Sequence, residues 1–339
     1  MSAFKTRRVG RTAVEVTELG LGTATMAGIF NPVPDDQARA TVARALDAGI
    51  TFYDSAPQYG FGRGEHMLGD GLRDRRRGTV LSTKVGRLLE PYTGDETVRN
   101  NWANPFPFQQ VYDYSYDGIM RSFADSRNRL GLAEIELLLV HDIGVMTHGK
   151  EKNDIYWKQL SEGGYKALLE LKSSGLVKAI GFGVNEWQVL MDAFELGDWD
   201  VFLLAGRYTL LEQTSLDPFL TTCVKRGASI ICGGPFNGGA LMGTGMWNYQ
   251  AAPPAVTERV AALEAFCKEF DVPLGAAALQ FPLGHEAVCN VLPGPKSPAE
   301  LDGILEWWNT LIPDGFWATL AGRGLVAPGT PLPGGVVAG

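Results

Sequence analysis

Eight short apolar runs separated by segments of helical period predict an α/β fold, a (β/α)8 TIM barrel with an N-terminal β-hairpin and long loops at one end. Three observations carry this expectation. The chain has 339 residues, 45% hydrophobic and 20% charged, enough for one large domain or two smaller ones and unlike a disordered or fibrous chain. Strand-like runs alternate with helical stripes, which implies parallel crossovers. No G-x-G-x-x-G follows the first strand: Gly20-Leu21-Gly22-Thr23-Ala24-Thr25 lacks the third glycine and Gly181-Phe182-Gly183 stops short, which disfavours an open doubly wound sheet. Residues 1–339 are read as one barrel domain.

Taken in order, residues 6–15 read as a hairpin and Val16 to Thr23 as the first buried strand. Asp35 or Asp36 is expected to cap a helix from Gln37 to Ala48, whose stripe of Ala38, Val42, Ala45 and Leu46 is closed by Gly49. Strand two, Gly49 to Tyr53, ends in Asp54, with Tyr59 five residues on beside a glycine-rich turn. A helix near Glu65 to Leu72 leads to strand three, Val80 to Val85. Residues 87–112 show neither period and read as a long loop. Tyr116 to Leu130 is helical, and strand four, Ile135 to Val140, ends in His141-Asp142. Helix Gly164–Ser173, strand Ala179–Val184, helix Trp187–Leu196, strand Val201–Tyr208 and helix Leu216–Arg226 continue the rhythm. Strand seven, Ser229 to Cys232, precedes a glycine-rich loop; helices within 256–270 and 273–284, strand eight from Val288 to Leu292 and a helix from Ala299 to Leu311 complete the set. Residues 323–339, rich in Gly and Pro, read as a disordered end or a loop over the barrel mouth.

Charge and cysteine usage exclude several function classes. A net charge of −8 argues against a phosphate-tracking surface, so no nucleic-acid partner is expected. The N-terminus lacks an apolar stretch behind its basic residues and no later segment is long and apolar enough to span a bilayer, which predicts a cytoplasmic protein without a membrane partner. Cys223, Cys232, Cys267 and Cys289 are far apart, with no C-x-x-C and no histidine at metal spacing; they read as buried thiols, with no metal expected.

In a barrel, polar residues at strand C-termini share one face, where barrel enzymes keep their active sites. Those residues are Asp54 and Tyr59 after strand two, Lys84 at strand three, His141 at strand four and Asn185 at strand five. Each alone is compatible with a plain strand end; four titratable groups on consecutive strands point to catalysis.

These residues resemble the aldo-keto reductases. D-x-x-x-x-Y over Asp54–Tyr59, S-T-K ending at Lys84 and L-V-H ending at His141 match that family's Asp, Tyr, Lys and His tetrad in order and spacing, from Leu19-Gly20-Leu21-Gly22-Thr23 to Pro293-Gly294-Pro295-Lys296-Ser297. The stretch Leu204 to Leu211 is similar to the branch of NAD-linked aldose dehydrogenases (L-fucose, D-threo-aldose and L-galactose types) and pyridoxal 4-dehydrogenase. The resemblance implies hydride transfer between a carbonyl carbon and a nicotinamide cofactor, so a proton must move at the oxygen. Tyr59 is the candidate for that step: a free tyrosine titrates at roughly 10, and a nearby ammonium, here Lys84, favours the phenolate. Asp54 would hold Lys84, and His141 would bind and orient the reacting oxygen.

The resemblance also implies a cofactor site. Asn185 would bond the nicotinamide carboxamide, the loop Gly234-Pro235-Phe236-Asn237-Gly238 would offer backbone N–H groups to the pyrophosphate, and Pro293, Gly294 and Lys296 would hold the adenosine side. The chain departs from the family at Ala205, Val184 and Gly233, where relatives carry glutamine, serine and an aromatic. Where NADP-preferring relatives place an arginine, this chain has Asp302, with Glu300 close by; two carboxylates would repel a 2′-phosphate, which predicts NAD preference with NADP as a secondary cofactor. The implied reaction is oxidation of a sugar or other cyclic hemiacetal to a lactone, with NADPH-dependent carbonyl reduction as the alternative. Trp102, Arg207 and Trp247 are candidate substrate residues, and a monomer or weak homo-oligomer is expected.

Overall fold

The structure, a computed structural model, describes residues 4–248 and 250–339. Eight parallel strands form one sheet: β1 (Gly20–Gly22), β2 (Phe52–Asp54), β3 (Val80–Val85), β4 (Leu137–His141), β5 (Ala179–Val184), β6 (Val201–Ala205), β7 (Ser229–Gly233) and β8 (Val288–Leu292). Their spatial order is their chain order, as in a barrel built of successive β-α units. β8 returns to β1 through a parallel bridge between Leu19 and Val291, with Val291 N donating to Glu18 O at 2.8 Å and Gly22 N to Pro293 O at 2.9 Å. The sheet thus curls into a barrel, as predicted.

The two-residue period of a strand then decides what faces inward. One buried cluster, Phe52, Leu137, Leu139, Ala179, Val201, Leu203, Ile231, Cys289 and Leu292, fills the interior, with Val9 and Val16 of the hairpin packed in the same cluster. The alternate residues, such as Tyr53, Leu81, Leu138, Val140 and Ile180, join a larger cluster with the helices. Asp54 shares its parity with Phe52, and His141 with Leu137 and Leu139, so both turn inward at the C-terminal end. The period that builds the core therefore builds the site.

Helices α1 (Asp35–Ala48), α2 (Arg63–Leu72), α3 (Tyr116–Leu130), α4 (Val145–Gln159), α5 (Tyr165–Ser173), α6 (Gln188–Leu196), α7 (Thr221–Arg226), α8 (Pro254–Glu269), α9 (Leu274–Gln280), α10 (Pro298–Trp308) and α11 (Phe316–Gly322) surround or extend the barrel. α3 has the predicted bounds, with Ser115 Oγ accepting from Gly118 N at 3.2 Å and Gly131 closing it in the left-handed region.

Several expectations are corrected. The hairpin pairs Thr6–Arg8 with Glu15–Thr17, so Val16 and Thr17 belong to it and not to β1. Asp35 and Asp36 lie in the first turn of α1 behind Pro34, which holds the N-cap position without a side-chain cap. Residues 87–112 are not a loop: Arg87–Pro91 pairs antiparallel with Phe108–Tyr112, and Val98–Arg99 with Trp102–Ala103. The tail is ordered: Pro331–Leu332 pairs with Val336–Val337 and packs against Phe281–Gly284, just before β8, and Ala327 N donates to Gln213 Oε1 beyond β6 at 3.0 Å. All four cysteines are buried and free. Among the described residues no helix is long and apolar enough to cross a membrane.

Candidate active site

Asp54 and Lys84 meet inside the barrel. Lys84 Nζ is ion-paired with Asp54 Oδ1 and donates to Ser55 O at 2.8 Å, while Ser82 Oγ donates to the same carboxylate oxygen at 2.8 Å. Both side chains are almost fully buried, at 1% and 2% exposure. Lys84 can cross the interior because β5 carries glycine opposite it: a Cβ on Gly183 would lie 2.7 Å from Lys84 Cε. Burial pushes the Asp54 carboxyl up from its ordinary value, and the Lys84 ammonium and Ser82 hydroxyl oppose that push.

Tyr59 lies half-buried on the β2 to α2 turn. Lys84 Nζ is 5.9 Å from its ring centroid, and the His141 ring meets it edge-on at 6.0 Å. Trp102 packs against the same ring at 5.6 Å; the indole is 3% exposed, and its Nε1 is buried with no hydrogen-bond partner. The four residues predicted on strands two to four are therefore brought together, and Trp102 joins them.

His141 is held neutral. Its pKa falls well below 6.5, first because it is buried and then because the Arg87 and Lys84 cations stand nearby. Tyr114 Oη donates to His141 O at 2.7 Å and fixes the end of β4. Directly after it, Asp142 Oδ2 accepts from Arg87 Nη2 and Oδ1 accepts from Asn185 Nδ2 at 3.2 Å. Arg87, Asp142 and Tyr114 were not singled out by sequence reasoning. The sequence shows only a cation two residues beyond β3 and an anion one residue beyond β4, a pattern shared by solvated strand ends.

The expected cofactor residues lie along β5, β7 and β8. Asn185 is half-buried at the end of β5. After β7, Gly234, Asn237, Gly238 and Gly239 take positive φ, so the loop turns tightly; Gly234 and Gly238 are exposed, Pro235 is buried, and the Phe236 ring packs edge-on against Trp307 at 5.9 Å. Pro293 and Gly294 close against the first strand, with Thr25 Oγ1 donating to Gly294 O. Ser297 caps α10, its Oγ accepting from Glu300 N at 3.1 Å.

Two expectations change in detail. The carboxylates expected to repel a 2′-phosphate are both paired, Asp302 with Arg44 at 2.7 Å and Glu300 with Lys296 at 3.2 Å, so the local charge is balanced. Arg207 and Trp247 converge on Glu212, through Nη1 at 3.3 Å and Nε1 at 2.7 Å. Arg207 also donates to Asn185 O at 2.9 Å and to Asn248 Oδ1 at 3.0 Å, which leaves its guanidinium engaged by protein acceptors. Glu212 was missed because nothing near it in sequence shows that three side chains meet there.

Comparison with known proteins places the chain in a family. The chain is 45% identical to pyridoxal 4-dehydrogenase of Microbacterium luteolum, covering 96% of this chain and 99% of that one. It is 37% identical to D-threo-aldose 1-dehydrogenase of a Pseudomonas species, covering 92% and 95%. Its fold matches an aldo-keto reductase from Bacillus halodurans in its holo form, with TM-score 0.72 and 22% identity over 96% and 97% of the two chains. The aldo/keto reductase family profile matches residues 18–322. On fold, site and sequence together, the chain is an oxidoreductase that belongs to the aldo/keto reductase family.

Proposed function

We propose that this enzyme oxidises the hemiacetal carbon of a cyclic substrate, an aldose or the cyclised form of pyridoxal, to a lactone, with NAD+ as the preferred acceptor. The observation that carries the reading is the buried Asp54–Lys84 pair set beneath Tyr59 and His141. Loss of hydride from a carbon bearing a hydroxyl leaves a proton to be removed from that oxygen. Tyr59 takes it, because a neighbouring ammonium favours the phenolate. Asp54 keeps Lys84 charged and fixed. His141, neutral at working pH, bonds the same oxygen without competing for the proton.

The residues present fit a nicotinamide dinucleotide. Asn185 offers a carboxamide, Gly234, Gly238 and Gly239 of the loop after β7 take positive φ, and a Cβ on Gly234 would find nothing nearer than 3.9 Å. The N-terminus of α10, beside Lys296, Pro293 and Gly294, suits a phosphate. A nicotinamide cofactor held by these residues would supply the hydride acceptor. NAD+ is favoured over NADP+ because Lys296 and Arg44 are each already paired with a carboxylate, so a 2′-phosphate would have to displace one.

Trp102 supplies an apolar wall beside Tyr59. Pyridoxal is supported by the higher identity to a pyridoxal 4-dehydrogenase, and an aldose by the D-threo-aldose relative. The test is reduced-cofactor absorbance with NAD+ or NADP+ against pyridoxal, L-fucose, L-galactose and D-arabinose. Turnover of one of these with a higher kcat/KM for NAD+ is the expected result. No oxidation of any, with NADPH-dependent reduction of simple aldehydes, would replace this reading with that of a carbonyl reductase.

A further inference from the structure

We propose that Arg87 and Asp142 are positioning residues, an ion pair of a buried arginine and a largely buried aspartate that sets the Asn185 carboxamide on the cofactor side and the His141 imidazole on the proton side in one fixed relation. The inference rests on the roles given above to Asn185 and His141. Asp142 follows His141 directly and has φ 44°, a left-handed conformation that aspartate tolerates better than most residues. Its two carboxylate oxygens serve different partners, Oδ1 the Asn185 amide and Oδ2 the Arg87 guanidinium, and His141 Nε2 lies 3.5 Å from Oδ2.

Arg87 is itself held on several sides. Its side chain is 2% exposed, Nη1 donates to Gln110 Oε1 at 2.9 Å, and the guanidinium lies over the Tyr112 ring at 5.2 Å. Gly86 makes this approach possible: it has φ 95°, and a Cβ there would fall 2.3 Å from the Tyr114 ring, whose hydroxyl holds His141 O. A buried ion pair seldom adds net stability over apolar packing, because desolvation offsets the attraction. What a forked guanidinium and a bidentate carboxylate do supply is direction.

The pair also balances charge where it matters. Around His141 and Asp142 stand Asp54 on and Tyr59 beyond β2, Lys84 and Arg87 on and beyond β3, Tyr114 and His148 on the α3 and α4 side, and Glu186 beyond β5. Without Arg87, the Asp142 carboxylate would face His141 uncompensated and favour the imidazolium. An imidazolium would repel the adjacent Lys84 ammonium and could not present the neutral ring that the proton step needs.

The chain has only four histidines, so imidazole 15N NMR can follow each one, and calorimetry with NAD+ reads the cofactor side; neither needs turnover. In Arg87→Met, His141 should titrate at least about one pH unit higher than in the parent, the size of a nearby-charge effect. NAD+ affinity should fall about tenfold, one oriented hydrogen bond's worth. Arg87→Lys should restore the titration but not the affinity, because an ammonium lacks the fork. A folded Arg87→Met with His141 titration and NAD+ affinity both unchanged would overturn the proposal. Should that variant fail to fold, Asp142→Asn keeps the shape, and unchanged NAD+ affinity there would overturn it equally. Asn185→Ala run in parallel separates the two readings: if it too binds NAD+ normally, the role of Asn185 is what fails, and the His141 titration alone decides the role of Arg87.

Discussion

Replacing Asp54 by alanine removes the partner of a lysine that has almost no access to water. Lys84 Nζ is 1% exposed and is left with Ser55 O at 2.8 Å, so its charge is no longer offset. Breaking a buried pair from one side costs about 3–5 kcal/mol, because the remaining ion keeps its desolvation penalty. Lys84 is then no longer held in place, and Tyr59 loses the fixed neighbouring charge that favours its phenolate. The single variant should therefore unfold at lower denaturant and lose activity about 10²-fold or more. The double variant Asp54→Ala, Lys84→Met removes both charges and should regain most of the lost stability while remaining inactive. Urea unfolding of the parent, both singles and the double gives the coupling energy, expected at about 2 kcal/mol or more. Coupling within about 0.5 kcal/mol of zero would refute the claim that this is a desolvated ion pair, and an active double variant would refute its link to Tyr59.

Two further outcomes follow from packing and burial. Gly86→Ala forces a side chain onto φ 95° and against the Tyr114 ring, so denaturant midpoints should show a loss of about 2 kcal/mol or more, and a change under 0.5 would contradict the clash. His285, 5% exposed, has its pKa lowered by burial to about 4. Its unfolded form binds a proton first, so its contribution is present above pH 6.5 and is lost as pH falls toward 4, about 3 kcal/mol in all. The difference in unfolding free energy between the parent and His285→Gln should shrink over that window; a flat difference would refute the assignment.

How much of this was legible in the sequence depended on the physics of each segment. Val80–Val85 and Ala179–Val184 are buried along nearly their whole length, so composition alone marked them. Tyr116–Leu130 carried both a cap serine and a closing glycine, and its bounds came out as read. α4 escaped notice because only Asn153 of its fifteen residues is buried, leaving no apolar stripe to read. The hairpin Arg87–Pro91 with Phe108–Tyr112 escaped because its strands are only half-buried and their pairing spans a long connection. The tetrad was visible because strand parity places its members at strand ends. Arg87 and Asp142 were not, since a charge beyond a strand looks the same whether it meets solvent or a buried partner. Glu212 draws Arg207 and Trp247 together for the same reason, by contacts across the fold that spacing cannot show.

The central claim is that Tyr59 moves the proton while the residues around it set its state. Tyr59→Phe keeps the ring, and with it the contacts to Trp102 at 5.6 Å and His141 at 6.0 Å, and removes only the hydroxyl. Single-turnover reduction of NAD+ with the preferred substrate, alongside calorimetric NAD+ binding, measures both sides of the claim. The rate should fall at least about 10²-fold with NAD+ affinity nearly unchanged, the loss of a positioned acid–base group. A variant that binds NAD+ and keeps most of its rate would contradict the account.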